Sequence, residues 1–176
     1  MIAILHNIRS LHNVGSIFRT ADAAGIEKLY LCGITPEPVD RFGKIRPQLA
    51  KVALGAEKTV PWERCASTSR LIDKLKNPPA GGGYKILAVE QSQKSIPYYK
   101  VPFIVRSYDK RMALIVGNEV RGLPPAILKK CDKILEIPMR GAMVRQAHHP
   151  RRAGRGKESL NVAVAFGVVV FELLHK

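Results

Sequence analysis

Ile137-Pro138-Met139-Arg140-Gly141 and Ser159-Leu160-Asn161-Val162-Ala163-Val164-Ala165 are the two stretches around which the sequence is organised. The first ends a predicted strand, and the second opens an apolar helix with polar first residues. Two further polar clusters follow apolar strands, Asn13-Val14-Gly15-Ser16-Ile17-Phe18-Arg19-Thr20-Ala21-Asp22 and Gly117-Asn118-Glu119-Val120-Arg121-Gly122-Leu123. In α/β sheets, ligands bind at the carboxyl ends of the strands. The sequence therefore predicts one site assembled from distant parts of the chain.

Short apolar runs alternate with helical patterns along the chain. Strands are expected at residues 2–5, 28–32, 84–90, 112–116 and 133–137, with a short extended piece at 59–62. Helices are expected at residues 13–24, with Asn13 as N-cap and Gly25 ending the helix, and at 48–54, 68–75, 124–130 and 159–174. Residues 91–109 are expected to be irregular. This alternation predicts an α/β fold with a mainly parallel sheet and helices on both faces.

The composition favours one domain that binds a polyanion. The 176 residues carry a formal net charge of +15, with a sequence pI of about 10.1. RNA or DNA is the favoured partner, and a merely basic soluble protein is the alternative. The apolar run at 162–174 is too short to span a bilayer, so a buried helix is expected. With no signal peptide recognised and three widely spaced cysteines without a CxxC pair, the expected compartment is the cytoplasm.

Each polar residue in these clusters has a structural alternative. Asn13 could serve only as a helix cap, and Arg19 could be a solvated surface charge. Glu119 could accept local backbone N–H groups, and Ser159 and Asn161 could cap the last helix. The joint placement of these residues after strand ends is more specific than any one of them.

The same stretches resemble the three motifs of the SpoU (TrmH-like) family of SPOUT RNA ribose 2′-O-methyltransferases. Residues 13–25 resemble the first motif, residues 114–123 the second, and Ile137-Pro138-Met139 with residues 159–165 an interrupted third. The resemblance covers essentially the whole chain. It implies an α/β fold with a C-terminal trefoil knot, a homodimer, S-adenosyl-L-methionine as methyl donor, and tRNA or rRNA as substrate.

Carried over residue by residue, the resemblance implies two sets of site residues. The catalytic set is Asn13, Arg19, Glu119, Ser159 and Asn161. The cofactor-binding set is Val89, Gly117, Ile137, Met139 and Leu160. No metal is expected. Because a neutral arginine is costly, Arg19 is expected to stabilise the developing alkoxide or to anchor a neighbouring phosphate instead of acting as a base.

Basic residues on the same domain would have to bind the RNA, because 176 residues leave no room for a separate RNA-binding domain. The candidates for contacts with the RNA backbone are Arg41, Lys44, Arg46, Lys51, Arg106, Lys110 and Arg111. For each of them the alternative is a solvated surface charge.

Residues 142–156 interrupt the third motif. Removing them gives Ile-Pro-Met-Arg-Gly-Lys-Glu-Ser-Leu-Asn, and Arg140-Gly141 is echoed by Arg155-Gly156, as a duplicated junction would leave. The leading interpretation is an inserted, exposed loop within a single domain spanning residues 1–176, and an added RNA-contact loop is the second. Two functions follow: an RNA 2′-O-methyltransferase, or a non-catalytic RNA-binding or ribosome-assembly protein whose cofactor loop the insertion has damaged.

Overall fold

One parallel sheet of seven strands forms the centre of the protein. The computed structural model describes residues 1–101, 111–139 and 159–174. The strands are β1 (Ile2–His6), β2 (Lys28–Cys32), β3 (Trp62–Cys65), β4 (Lys85–Val89), β5 (Ile96–Pro97), β6 (Met112–Val116) and β7 (Lys133–Glu136). Their order in the sheet is β3-β2-β1-β6-β4-β7-β5, and all pairings between these described strands are parallel. The predicted α/β class is confirmed.

Helices cover both faces of this sheet. They are α1 (Leu11–Ala24), α2 (Pro47–Ala53), α3 (Ala56–Thr59), α4 (Thr68–Lys76), α5 (Pro125–Leu128) and α6 (Val162–Leu174), with a 3₁₀ turn at Tyr98–Lys100. None of the helices in the described ranges is long and apolar enough to cross a membrane.

The apolar run of β1 is buried on both sides. Ala3 and Leu5 belong to the core cluster under α1, α2 and α6, whereas Ile2 and Ile4 belong to the cluster under α4 and α5. Successive strand residues point to opposite faces, so a strand covered on both faces must be apolar at every position. This explains why residues 2–5 form a continuous apolar run.

Helix α1 begins earlier than its sequence pattern predicted. Its N-cap is Ser10, whose Oγ accepts a hydrogen bond from the Asn13 N–H at 3.3 Å. The prediction of Asn13 as N-cap was therefore wrong, because a better-placed hydroxyl lies three residues upstream. Asn13 lies inside the first turn, which frees its side chain for other contacts. Gly25 does end the helix, in the left-handed conformation with φ of 70°.

Three further boundaries differ from the sequence predictions. The extended piece predicted at 59–62 lies at Trp62–Cys65, because Thr59 ends the short helix α3. A two-residue strand, β5, lies within the segment predicted to be irregular. Helix α6 begins at Val162 and not at residue 159, because the Asn161 side chain caps it. The predicted knot and the segment 142–156 involve residues outside the described ranges, so both stay predictions.

The strand order places the loops of the site side by side. From β1 the chain turns outward to β2 and β3, whereas from β6 it passes over β4 to β7 in the opposite direction. The chain therefore leaves the carboxyl ends of the neighbouring strands β1 and β6 in opposite directions. A crevice at such a reversal of strand order is the usual ligand position in an open α/β sheet.

The helix α1 core supplies a direct stability test. Phe18→Ala should lower the free energy of unfolding by about 3–5 kcal/mol, because Phe18 is fully buried. Phe42→Ala is the matched control, since the same substitution at a side chain that is 72% exposed should cost less than about 1 kcal/mol. Urea denaturation measures both values. Equal losses in the two variants would contradict the assignment of the core.

Candidate functional site

A cavity of about 600 Å³ opens at the carboxyl edge of the sheet. It lies beyond the ends of β4, β6 and β7 and is closed by the first turns of α1 and α6. Its lining comprises Asn13, Val89, Glu90, Gln91, Val116, Gly117, Asn118, Glu119, Val120, Arg121, Gly122, Leu135, Glu136, Ile137, Met139, Ser159, Leu160, Asn161, Val162 and Ala165. The cavity thus contains four of the five predicted catalytic residues and all five predicted cofactor residues.

A chain of hydrogen bonds joins three of the catalytic candidates. Asn161 Nδ2 donates to Asn13 Oδ1 at 3.0 Å, and Asn13 Nδ2 donates to Glu119 Oε1 at 2.9 Å. The Asn161 Oδ1 also accepts from the Ala163 N–H at 2.9 Å and so caps helix α6. Each side-chain amide uses both its oxygen and its nitrogen. The start of α6, the first turn of α1 and the loop after β6 are therefore fixed to one another.

Glu119 is the acceptor at the end of this chain. Its carboxylate also accepts the backbone N–H groups of Arg9 and Ser10, at 3.0 and 3.1 Å, just before helix α1. Partial burial by itself would raise the pKa of Glu119, but the hydrogen bonds from Arg9, Asn13 and Ser10 favour the charged form and hold the pKa below its usual value. Glu119 is therefore an ionised carboxylate that positions α1.

Close backbone approach shapes the loop after β6. A Cβ on Gly117 would lie 2.7 Å from the carbonyl carbon of Gly122 and 2.8 Å from the Leu123 nitrogen. Only glycine fits there. The neighbouring Asn118 Nδ2 donates to the Asn7 carbonyl oxygen at 2.7 Å, and its Oδ1 accepts from Val120 and Arg121. The loop is thus held rigidly against the end of β1.

Four of the five predicted cofactor residues contribute apolar side chains to the lining of the cavity, and we call them the apolar wall. Val89 is the last residue of β4, Ile137 and Met139 come after β7, and Leu160 precedes α6. The volume is within the roughly 300–1,000 Å³ that small-molecule sites occupy. An adenine ring suits such an apolar slot, while the backbone of the 117–122 loop supplies polar groups beside it. These residues fit S-adenosyl-L-methionine.

Arg19 is the catalytic candidate that the cavity does not contain. It is exposed and makes no hydrogen bond or ion pair with other described residues. Arg19 lies six positions after Asn13 on the helix, which corresponds to about 9 Å along the axis and about 120° around it. The two side chains therefore leave α1 from different faces, and the catalytic role of Arg19 stays a prediction.

The predicted RNA-binding residues divide into separate groups. Arg41, Lys44 and Arg46 lie between β2 and α2, on the carboxyl side of the sheet, where the cavity opens. Arg111 directly precedes β6 and thus lies at the opposite edge, where its guanidinium donates to the carbonyl groups of Gly81 and Gly82. Arg106 and Lys110 lie outside the described residues.

The polar residues of the cavity that sequence reasoning missed include two carboxylates. Glu90 Oε2 accepts from the Leu123 N–H at 2.7 Å, and Oε1 accepts from the Gln91 N–H. Glu136 accepts from the Ser95 hydroxyl at 2.7 Å. Both residues lie at the carboxyl end of a strand, so the rule that located Glu119 could also have found them. In the described ranges, no group of three or more His, Cys, Asp or Glu residues could hold a metal ion.

The sequence matches a known protein family over most of its length. A sequence profile described as the SpoU rRNA Methylase family matches residues 1–144. The chain belongs to the SpoU rRNA methylase family. The match ends inside the segment 142–156, where an insertion is predicted. This SpoU chain thus keeps the first two motifs in the matched region, and the second part of its third motif lies beyond it.

Individual relatives agree with this assignment. The 23S rRNA (guanosine-2′-O-)-methyltransferase RlmB of Blochmanniella floridana is 30% identical over 100% of this chain and 58% of its own length. A TrmH/SpoU tRNA modifying enzyme of A. aeolicus superposes with a TM-score of 0.73, at 29% identity, covering 98% of this chain and 73% of that one. An AdoMet-bound rRNA methyltransferase from Sinorhizobium meliloti gives a TM-score of 0.72 at 27% identity, covering 98% and 54%. The chain thus spans less than two thirds of the length of the first of these relatives.

The ionised state of Glu119 predicts a pH-dependent contribution to the stability of this SpoU chain. Because its pKa is lowered by folding, its contribution is fully present above the unfolded value of about 4.5 and is lost as the pH falls through the folded value. Glu119→Gln should therefore destabilise the protein at pH 7, and the difference from wild type should shrink as the pH falls below about 4.5. Urea denaturation across this range measures the difference. A difference that does not change with pH would contradict the assigned charge.

Proposed function

We propose that this SpoU chain is an S-adenosyl-L-methionine-dependent RNA methyltransferase that methylates a ribose 2′-hydroxyl of tRNA or rRNA. The observation that carries the proposal is the cavity, in which the hydrogen-bonded residues Asn13, Glu119 and Asn161 face the apolar wall for the cofactor. The activities that the relatives' names state support the same reaction class.

The cofactor would be held mainly by backbone groups and apolar contacts. Gly117 allows the close backbone approach that shapes the 117–122 loop, and Val89, Ile137, Met139 and Leu160 would enclose the adenine end. When bound, S-adenosyl-L-methionine supplies an electrophilic methyl group. The residues of the chain must align a ribose hydroxyl with that methyl group and exclude water from the site. Positioning therefore supplies much of the acceleration.

The polar residues of the cavity would hold the substrate hydroxyl and its proton. Ser159 is an exposed residue of the lining, beside Asn161, where its hydroxyl is available to a ligand. Arg19 carries a permanent positive charge, so it would stabilise the alkoxide that develops on the ribose or bind the adjacent phosphate. Glu119 and Asn161 would act through positioning, because their side chains are engaged in fixing α1 and α6.

RNA would be bound through the basic surface of a single domain that spans residues 1–176. The net charge of +15 and the position of Arg41, Lys44 and Arg46 on the cavity side of the sheet support phosphate contacts there. We further propose that the protein works in the cytoplasm, where its free cysteines Cys32, Cys65 and Cys131 would stay reduced.

The interrupted third motif favours the second candidate function, a non-catalytic RNA-binding protein of the same fold. Met139 and Ser159 line one cavity although the segment between them is longer than the motif requires. If residues 142–156 prevent the two ends from being fixed around the cofactor, RNA would still bind but no methyl group would be transferred.

Arg19→Ala should abolish methyl transfer, because it removes the charge that stabilises the alkoxide. The purified protein would be incubated with total RNA and labelled S-adenosyl-L-methionine, and ribose methylation would be mapped. Binding of S-adenosyl-L-methionine, measured by calorimetry, should stay nearly unchanged in this variant, since Arg19 lies outside the cavity. Retention of more than about a tenth of the wild-type rate, a barrier change below roughly 1.4 kcal/mol, would exclude the alkoxide role. Absence of methylation by the wild-type protein, with RNA binding intact, would establish the second candidate.

A homodimer through α6 is part of this proposal. The inner face of the helix is buried, whereas Val164 and Val168 on its outer face are 52% and 36% exposed. Leu160 adds a further apolar residue that is 37% exposed at the start of the helix. An apolar stripe of this kind is typical of a surface that a second copy covers. A dimer would also give Arg19, which lies away from the cavity of its own chain, a position from which to act on the cavity of the other copy.

Complementation between two inactive variants tests this arrangement. Arg19→Ala and Asn161→Ala would be unfolded and refolded together at equal concentration. If Arg19 acts on the other copy, each mixed dimer has one intact site, so the mixture should recover about a quarter of wild-type activity by random pairing of two equivalent subunits. Each variant refolded alone is the control. No recovery, although light scattering shows a dimer mass, would place Arg19 in the site of its own chain, and a monomer mass would refute the dimer.

A further inference from the structure

A short hairpin between β2 and α2 carries an exposed aromatic side chain at its tip. Val39 and Ile45 form an antiparallel bridge, and the Asp40 N–H donates to the Lys44 carbonyl oxygen at 2.8 Å. The Asp40 carboxylate oxygen Oδ1 accepts the N–H groups of Phe42 and Lys44, at 2.8 and 3.0 Å. The turn is therefore fixed by its own hydrogen bonds, and we call residues 38–46 the 38–46 hairpin.

The base of the 38–46 hairpin is anchored to the body of the protein. Pro38 is buried, and its carbonyl oxygen accepts from the Arg46 N–H at 2.8 Å. Arg46 Nε donates to the Val39 carbonyl oxygen at 3.2 Å, and helix α2 follows at once and packs on α1. The tip is thus presented on a pre-organised support, which lowers the entropic cost of binding.

Phe42 is 72% exposed, and the Arg41 guanidinium lies over its ring at 4.7 Å from the centroid. Folding gains little by placing a large apolar ring in water, so hydrophobic burial does not explain it. An aromatic ring with an adjacent guanidinium plane presents the two groups on which nucleobases stack.

The surroundings of the ring favour a polyanionic ligand. Lys44 lies two residues after Phe42 and is exposed, while Asp40, the acidic side chain of the hairpin, is engaged with backbone N–H groups. The hairpin follows the carboxyl end of β2, which lies two strands from β6 in the sheet, a lateral spacing of about 10 Å. The base of the hairpin therefore leaves the same edge of the sheet as the loops of the cavity, within reach of a single RNA strand bound there.

We propose that Phe42, with Arg41 beside it, stacks on an unpaired base of the RNA substrate, next to the nucleotide that enters the cavity. This rests on the proposed function for its substrate class. Loss of one base–aromatic stack should weaken RNA binding about tenfold, which corresponds to about 1.4 kcal/mol. The site would read the exposed face of a base and not its hydrogen-bonding edge, so it would select single-stranded over duplex RNA.

A tryptophan at the tip reports stacking directly. Trp62 is the one tryptophan of the chain and is the first residue of β3, so it lies at the amino-terminal ends of the strands, whereas the hairpin leaves from the carboxyl ends. In the double variant Phe42→Trp, Trp62→Phe, single-stranded RNA should quench the fluorescence, whereas duplex RNA of the same sequence should not. The wild-type protein, in which Trp62 is the emitter, is the matched control and should be quenched by neither. Equal quenching by both RNAs, or a response to anionic phosphatidylglycerol vesicles in place of RNA, would overturn the proposal.

Substitution separates this inference from the proposed reaction. Phe42→Ala should raise the dissociation constant for single-stranded RNA about tenfold, and Phe42→Tyr should restore it, because tyrosine keeps the ring face. In the methylation assay the same loss should appear in KM for RNA, with calorimetric binding of S-adenosyl-L-methionine unchanged. If the wild-type protein transfers no methyl group but shows this pattern of binding, the reaction is wrong and the stacking site stands. If methylation occurs and Phe42→Ala binds and methylates RNA like wild type, the stacking site is wrong and the reaction stands.

Discussion

The hydrogen-bond chain from Asn161 through Asn13 to Glu119 is the interaction on which the geometry of the site depends. It joins residues 148 and 106 positions apart in sequence, and it connects the start of α6, the first turn of α1 and the loop after β6. Both amides use their oxygen and their nitrogen, so neither can rotate without leaving a partner unsatisfied. The positions of the three elements therefore depend on one another, and a displacement of one of them displaces the others.

Much of the fold and of the cavity follows from sequence patterns that report burial. The continuous apolar runs at β1 and β6 require strands covered on both faces, and that requirement leads to a parallel α/β sheet. The rule that ligands bind beyond strand ends then located Gly117, Glu119 and Met139, all of which line the cavity. The fold class and the position of these residues were predictable because burial and strand direction determine which residue types a buried strand and its carboxyl end can carry.

Other features depend on choices between similar local solutions, which a sequence pattern does not resolve. Ser10 and Asn13 are both good N-caps, and the structure uses the hydroxyl of Ser10, so the amide of Asn13 is free to contact Glu119. Arg19 could not be placed from its nearness to Asn13 in sequence, because six residues turn a helix to a different face. The hydrogen bonds that make the 38–46 hairpin rigid also depend on loop geometry, which charge and composition do not specify.

The cavity contains acidic side chains although the protein is strongly basic and is proposed to bind RNA. Glu90, Glu119 and Glu136 all line the cavity, and each accepts a hydrogen bond from a neighbouring loop or helix. A carboxylate that accepts backbone N–H groups or a hydroxyl repels a nearby phosphate less than a free one, because its charge is partly compensated. The same carboxylates connect the loops after β1, β4 and β6 and the end of β7 to one another. Negative charge at this edge of the sheet therefore serves positioning, and the cations that attract a polyanion, such as Arg41 and Lys44, extend outward on the neighbouring hairpin.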